Sequence, residues 1–264
     1  MPAPTLGTTM SIEPGVAGLY RLLAWASPAF PTGAFSYSHG LEAAADDGAV
    51  HDRATLERWI GATIEHGSGR IDADILRDAW RAAAAGDAAA LAAANRRGMA
   101  YRQTAELALE SSQQGAAFVV AYEAAWVSPH PNPPPLAGEG IGNRRNELPP
   151  SQAEEGRGRG NTGGNDTCHA AAFGAAAARA GIGLADALTA YLQTFAGNLM
   201  SAGLRLGIVG QNDGQRILAA LEPMIAAAVA AALMRGPEDF GTATFAADLA
   251  SMTHETQYTR LFRS

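Results

Sequence analysis

Apolar residues recur at every third or fourth position along most of this chain, a spacing that restricts it to helices. Leu56, Ile60 and Ile64 share one helical face, and residues 71–82 repeat the pattern. Alanine, the strongest helix former, fills many of the positions between them. Period-two alternation is not evident, so the sequence predicts an all-α fold, a single bundle-like domain of several helices.

Local signals place several helix ends. Asp52 is predicted to cap the helix that follows it. Asn212 is predicted to cap a later helix, with Gln215 completing a capping box. Ser36 or Ser38 is expected to cap the helix that begins near the sequence HGLE. Each cap would satisfy backbone N–H groups that the first helical turn leaves unpaired.

Small residues inside the predicted helices indicate close contacts. Residues 104–126 are predicted to form one long helix, and Gly115 in its interior is costly unless it lets another helix pack closely. Close packing of another helix is also predicted for a later helix, at Gly197, Ala202 and Gly203.

Residues 128–166 interrupt the helical pattern with proline, glycine and charged side chains. Almost nothing in this segment can be buried, so we predict a disordered surface insertion between two helices. A passive loop is the expected role, and the alternative is a recognition arm at the sequence GRGRG. Residues 1–15 are predicted to be a flexible N-terminal tail, which leaves residues 16–264 as the domain.

The composition argues against several classes of protein. A net charge of -7 speaks against nucleic acid as a partner, because phosphate backbones bind clustered Lys and Arg. The single cysteine, Cys168, cannot form an intrachain disulfide and suits a reducing cytosol. The longest apolar run, residues 224–234, is short of the ~20 residues that span a bilayer, and a secretion signal is not evident. We expect a cytoplasmic protein that does not enter membranes.

The stretch SPAFPTGAFSYSHGLE, residues 27–42, differs most from its alanine-rich surroundings. Ser36, His39 and Glu42 are residue types of a nucleophilic hydrolase, but the G-x-S-x-G turn of such enzymes is missing. A structural role is favoured for the stretch, with partner recognition second and catalysis third. The aromatic side chains suited to recognition are Phe35 and Tyr37.

Metal and nucleotide sites are not predicted. The sequence lacks H-x-x-x-H and cysteine pairs, and it also lacks the glycine-rich loops that bind phosphate. The histidines are expected to be structural or at the surface, although one from each subunit could complete a shared site. They lie at positions 39, 51, 66, 130, 169 and 254.

Two further groups of side chains are candidates for binding. The turn RLGIVGQNDGQR is either an ordinary capped turn or a functional surface, and it gathers Arg205, Gln211, Asp213 and Gln215. The C-terminal sequence ETQYTRLFRS is rich in the aromatic and arginine side chains typical of binding hot spots. This tail would either fold back on its own protein or become ordered on a partner, and we favour the partner.

Five motifs together resemble the UreF family of urease accessory proteins. In chain order they are SPAFPTGAFSYSHGLE, YRQTAELALESSQQG, HAAAFGAAAARAGI, NLMSAGLRLGIVGQNDGQR and SMTHETQYTRLFRS. The resemblance implies a dimer-forming, non-catalytic protein that joins UreD, called UreH in some organisms, to the GTPase UreG. With these partners it would load nickel into apo-urease and modulate the GTPase activity of UreG. The alternatives are a helical hydrolase and a generic helical scaffold.

The resemblance also implies where partners bind. The family's C-terminal segment, residues 254–264 here, is associated with docking to UreD, and the surface around Arg205 is a candidate contact for UreD or UreG. The family is associated with nickel cation binding, but nickel and GTP are expected to enter through the partner proteins, so no ligand for them is assigned. The predicted partner-binding residues are Phe35, Tyr37, Glu42, Arg205, Gln211, Asp213, Gln215, His254, Glu255, Gln257, Tyr258, Arg260, Leu261, Phe262 and Arg263.

Overall fold

The computed structural model describes residues 14–127 and 166–264, and over these two ranges it is helical without a strand. The all-α prediction is therefore confirmed. The helices are α1 (Pro14–Trp25), α2 (Leu41–Asp46), α3 (Arg53–His66), α4 (Ser68–Ala84), α5 (Ala88–Ala100), α6 (Ala105–Tyr122), α7 (His169–Arg179), α8 (Leu184–Arg205), α9 (Gln211–Met234) and α10 (Phe245–His254). A π-helical turn, Glu123–Val127, continues α6, and short 3-10 turns lie at Ala34–Ser36 and Pro237–Asp239.

Two predicted segments fall mostly outside the described residues. Helix α1 begins at Pro14, two residues inside the predicted N-terminal tail, and the rest of that tail is not described. The predicted insertion lies outside the described residues up to position 165, and the described chain resumes at Asp166.

Helix α4 is the centre of the fold. It packs against α5, α7, α8 and α9, and α3 packs over α8 and α9. Leu56, Ile60 and Ile64 are buried as their spacing predicts, and the face of α4 that carries Ile71 and Ile75 is buried with them. Each fully buried aliphatic side chain contributes about 1.5–3 kcal/mol, so these shared faces supply most of the favourable free energy.

Two glycines let backbones meet inside the bundle. A Cβ atom at Gly174 in α7 would lie 2.4 Å from the carbonyl oxygen of Leu76, so only glycine permits this contact with α4. A Cβ atom at Gly115 in α6 would lie 1.9 Å from the carbonyl oxygen of Thr167. The close approach predicted at Gly115 is present, but the neighbour is the backbone that precedes α7 rather than a helix.

The predicted helix caps are confirmed at α3 and wrong at α9. The Asp52 carboxylate accepts a hydrogen bond from the Thr55 N–H (2.8 Å), and the Thr55 hydroxyl completes a capping box. At α9 the N-cap is Gly210, and Asn212 lies inside the first turn with Gln215 further along the helix. Gly210 already takes the extended conformation of an N-cap, so the helix begins two residues earlier than the sequence suggests.

Neither Ser36 nor Ser38 is the N-cap of α2. That position is Gly40, whose φ of 74° lies in the left-handed region. A Cβ atom there would lie 2.7 Å from the backbone nitrogen of Ser251, so glycine also lets α10 approach α2. The Ser38 hydroxyl contributes only a long hydrogen bond, 3.4 Å, from the Glu42 N–H in the first turn.

A buried ion pair joins three helical segments near the centre of the fold. Asp72 of α4 lies 2.5 Å from Arg102, just after α5, and accepts a hydrogen bond from the Tyr191 hydroxyl of α8 (2.9 Å). Burial by itself lowers the pKa of Arg102, but the charge of Asp72 more than offsets this and the pKa is raised. Burial also lowers the pKa of the neighbouring His169 to about 4, so its ring is neutral at pH 7.

Among the described residues, helix α9 is long and apolar enough to cross a membrane, judged by length and composition only. The uninterrupted apolar run in it is short, but the whole helix has 24 residues. One face of α9, with Ile217, Leu221 and Ile225, packs into the core against α3 and α8, and 28% of its apolar window is buried. A single helix of this kind is weak evidence for a membrane segment.

Candidate partner-binding site

The C-terminal tail, residues 255–264, lies in a cleft of its own chain. This tail-binding cleft is formed by residues 35–42, the first turns of α6 and the end of α8. Phe262 is 4% exposed and Ser264 is fully buried. The tail thus folds back on its own protein, and the preference for a tail ordered only by a partner is wrong for the isolated chain.

Glu42 is the main anchor of the tail. One carboxylate oxygen accepts a hydrogen bond from the Leu261 N–H (2.6 Å), and the other accepts one from the Phe262 N–H (2.9 Å). Burial alone raises the pKa of the Glu42 carboxyl, but the hydrogen bonds it accepts, that of Leu261 foremost, outweigh burial and hold the pKa below its usual value. The ionised carboxylate therefore makes strong, charge-assisted hydrogen bonds to the tail backbone.

His254, at the end of α10, lies between two carboxylates. Its Nδ1 is 2.7 Å from Glu106 and its Nε2 is 3.0 Å from Glu42, and the ring is fully buried. Both ring nitrogens thus lie within hydrogen-bonding distance of a carboxylate oxygen. Arg260 of the tail lies 2.5 Å from the other oxygen of Glu106. His254 therefore ties α10 to both α2 and α6, next to the tail.

The last residues of the tail lie beside the 27–42 stretch. The Arg263 N–H donates to the Ser36 carbonyl (2.8 Å), and the Ser38 N–H donates to the Ser264 carbonyl (2.7 Å). These backbone hydrogen bonds hold the chain end independently of the Glu42 carboxylate.

Arg205, at the end of α8, connects the same stretch to the tail. Its guanidinium donates to the carbonyl oxygen of Phe35 and lies 4.2 Å from the centre of the Phe262 ring. Such a cation over an aromatic ring contributes ~0.5–1 kcal/mol at an exposed site. The polar side chains predicted around Arg205 do not form one cluster. Asp213 pairs with Arg216 (2.9 Å) on the first turn of α9 and not with Arg205.

In the structure, Ser36, His39 and Glu42, the residues of the hydrolase alternative, do not form a catalytic triad. A nucleophilic serine needs a histidine base, which an acid in turn orients. Here the Nε2 of His39 meets Glu110 (3.0 Å), while the Glu42 carboxylate holds His254 and the tail. Ser36 contributes its backbone carbonyl to the tail. In this structure the stretch forms part of the cleft that holds the tail.

The predicted partner-binding residues divide into buried and accessible groups. The buried ones hold the tail in place, and they are Tyr37, Glu42, His254 and Phe262. Gln257 and Asp213 are half-buried. The exposed ones are open to a partner, and they are Phe35, Arg205, Gln211, Gln215, Glu255, Tyr258, Arg260, Leu261 and Arg263.

One exposed group was not among the predicted site residues. Phe245, Leu249 and Met252 lie on one stripe of α10, and they are 79%, 63% and 49% exposed. The opposite side of α10 packs on α2. The i, i+4, i+7 spacing is visible in the sequence, but spacing alone cannot distinguish an exposed stripe from a core one. Apolar groups of this kind mark interaction sites.

Among the described residues, no group of three or more His, Cys, Asp or Glu side chains could hold a metal ion. His130 lies outside these residues. The expectation that nickel and GTP enter through partner proteins stays a prediction.

A Glu42→Gln variant is expected to loosen the tail while keeping the shape of the side chain. Hydrogen bonds to a charged acceptor contribute about 1.5–3 kcal/mol, so amide hydrogen exchange at Leu261 and Phe262 should quicken by roughly 10- to 100-fold. Hydrogen-exchange mass spectrometry of the C-terminal peptide measures this. Glu222→Gln, on the exposed side of α9, is the matched control and should change nothing. Unchanged exchange in the Glu42 variant would show that other contacts hold the tail.

The same contacts give the tail a pH dependence of known sign. The pKa of the Glu42 carboxyl is lower when the tail is docked than its ordinary value of 4.5. Docking is therefore fully stabilised by this group above that pH and weakens as the pH falls through the lowered value.

Known proteins similar to this chain are urease accessory proteins. The UreF family model matches residues 50–222. "Urease accessory protein UreF" of Rhodopseudomonas palustris (strain HaA2) is 44% identical over 100% of both chains. That of Granulibacter bethesdensis is 43% identical over 99% of this chain and 98% of the relative, and that of Agrobacterium fabrum is 42% identical over 97% and 100%. The match to the Rhodopseudomonas palustris protein covers the whole chain, so it includes the 27–42 stretch and the tail, which lie outside the residues matched by the family model.

Proposed function

The chain belongs to the UreF family of urease accessory proteins, and from this premise we propose that it matures urease by binding, joining UreD (UreH in some organisms) to the GTPase UreG. In this proposal the complex inserts nickel into apo-urease, and nickel and GTP arrive with the partner proteins. The chain works in the cytoplasm as a homodimer, and it modulates the GTPase activity of UreG without catalysis of its own.

A single observation carries the proposal: α10 and the tail that follows it both expose large apolar side chains. We call this the α10–tail surface, and its residues are Phe245, Leu249, Met252, Tyr258 and Leu261. The Tyr258 side chain is fully exposed and Leu261 is 53% exposed, although the tail around them is fixed. Aromatic side chains and methionine are enriched in protein interfaces, and tyrosine is a frequent hot-spot residue. In the proposal this surface docks UreD.

Glu42 and His254 act in the proposal as positioning residues. Both are buried, so they do not meet a partner while the tail is docked. They hold α10 and the tail in one arrangement. This lowers the conformational-entropy cost of ordering these two segments when a partner binds. The exchange experiment with Glu42→Gln therefore reports on the preorganisation of the α10–tail surface.

The proposal is tested by co-purification and by urease activation. A tagged chain should capture UreD, and UreG through it. In a strain that lacks the chain, urease should stay without nickel until the chain is restored. Fully metallated urease in that strain would overturn the proposal.

A Ser36→Ala variant should activate urease as well as the unchanged chain. The tail uses the Ser36 carbonyl, which alanine keeps, and the contacts of Glu42 are unaffected. The measurement is nickel-dependent urease activity in the complemented strain, with captured UreD as the control for binding. Loss of activation with normal capture would favour the hydrolase alternative instead.

A further inference from the structure

A cavity of about 710 Å³ lies between the segment that follows α1 and helix α8, and it reaches inward to side chains of α4 and α6. Residues 26–35 and α8 form its outer walls. A Cβ atom at Gly197 in α8 would meet only the Nε2 of Gln193, at 3.9 Å, so the close helix contact predicted there is absent among the described residues. Glycine at this position instead keeps the outer part of the cavity wide.

The inner end of the cavity is polar although it lies within the core. Its charged side chains are Asp72, Arg102 and Glu110, and all of them are buried. Asp72 and Arg102 neutralise each other as an ion pair. Glu110 forms no ion pair with an arginine among the described residues, so its carboxylate gives the inner end an excess of negative charge. A negative charge that is removed from water in this way strongly attracts a cation.

His39 adds a second acceptor beside Glu110. Its φ of 52° lies in the left-handed region, and within the described ranges it is the only non-glycine residue with a positive φ. Its Nε2 lies 3.0 Å from the Oε1 of Glu110. An ionised carboxylate only accepts, so Nε2 carries a proton and Nδ1 of the neutral ring is an acceptor. Nδ1 is buried without a hydrogen-bond partner in the described part of the chain, and such orphaned atoms and strained backbones are found at ligand sites.

Aromatic rings form much of the remaining wall of the cavity. They belong to Trp25, Phe30, Tyr37, Phe173, Tyr191 and Phe195. The ring of Phe195 packs on His39, with 4.9 Å between the ring centres. The faces of aromatic rings attract cations, and cages of such rings bind ammonium ligands. A metal ion would instead need several His, Cys, Asp or Glu ligands, and the described residues contain no group of three or more.

We propose that the inner end of this cavity binds a small organic cation, a primary ammonium compound with a short apolar chain. Its ammonium group donates to the Glu110 carboxylate and to Nδ1 of His39, and its apolar part lies against the aromatic wall. A primary ammonium has several N–H donors, so it can supply both acceptors and also compensate the negative charge. The volume is suitable, because small-molecule sites enclose about 300–1,000 Å³. None of the residues of the α10–tail surface lines the cavity, so the inference does not depend on the proposed function.

Ligand-observed NMR titration of the purified full chain tests the inference with probes of similar size and different charge. They are n-butylammonium, which is positive, n-butanol, which is neutral, and butyrate, which is negative. Butylammonium should show saturable binding in about the millimolar range, as expected for so small a ligand. Butanol should bind roughly ten-fold more weakly or less, because hydrogen bonds to a charged group are the stronger ones, and butyrate should not bind.

Two variants locate the site. Glu110→Gln removes the charge and keeps the shape of the side chain, so it should weaken the binding of butylammonium by about ten-fold or more. His39→Asn removes the ring nitrogen and should weaken it as well, while asparagine tolerates the left-handed backbone of this position. Glu222→Gln, on the exposed side of α9, is the matched control and should bind butylammonium like the unchanged chain. Melting temperatures establish that each variant is folded.

The inference is overturned if butylammonium shows no saturable binding, or if butanol or butyrate binds as tightly as butylammonium does. It is also overturned if the folded Glu110→Gln and His39→Asn variants bind butylammonium like the unchanged chain. Should either variant fail to fold, the comparison of the charged and neutral probes on the unchanged chain still decides. Failure of the proposed function appears differently, as a chain that binds butylammonium but captures no UreD.

Discussion

The double variant Phe245→Asp, Leu249→Asp should lose capture of UreD while the chain stays folded. Both positions are more than half exposed, so each substitution should change the stability of the isolated chain by only about 0.5 kcal/mol. In the proposed complex the same positions are covered, and two buried carboxylates without partners would cost several kcal/mol. Each 1.4 kcal/mol is ten-fold in affinity, so a loss of about 100-fold or more is expected.

Pull-down of UreD by the purified variant, with thermal unfolding followed by circular dichroism, provides the measurement. Met234→Asp carries the same chemical change on an exposed apolar position of α9, and it should capture UreD normally. Undiminished capture by the folded double variant would remove α10 from the proposed interface.

Point variants test this surface more cleanly than deletion of the tail. The Glu255 carboxylate accepts hydrogen bonds from the N–H groups of Ala105 and Glu106, so it caps the first turn of α6. Phe262 is buried as well. Deleting residues 255–264 would therefore disturb α6 and the core along with the docking surface, and lost binding would have two explanations.

The helices were predictable because their signals are local. Leu56, Ile60 and Ile64 mark a buried face by spacing alone, and Asp52 finds its capping partner three residues away. The start of α9 was not predictable in the same way. The sequence offered Asn212 as the cap, but the extended backbone of Gly210, two residues earlier, is the N-cap in the structure.

The candidate site was predictable in its parts but not in its assembly. The 27–42 stretch and the tail both stood out by composition, yet Glu42 and Leu261 are 219 positions apart in the sequence, and no local pattern encodes their pairing. The exposure of Leu249 is likewise a property of tertiary packing, because the same spacing would suit a core helix. The composition of the tail suggested a partner, whereas Glu42 and His254 supply its contacts within the chain.

The largest loss of stability is expected for Asp72→Ala. The side chains of Asp72 and Arg102 are 6% and 5% exposed, and the carboxylate also accepts the Tyr191 hydroxyl. Removing the carboxylate leaves a buried guanidinium without its counterion, which costs about 3–5 kcal/mol of the 5–15 kcal/mol that stabilises a typical domain.

Urea unfolding should therefore show a much lower midpoint for Asp72→Ala, with the slope of the transition unchanged. Asp213→Ala removes the carboxylate of an exposed pair with Arg216, and it should cost at most about 1 kcal/mol. A loss for Asp72→Ala no larger than that of the control would show that Arg102 finds other partners or water.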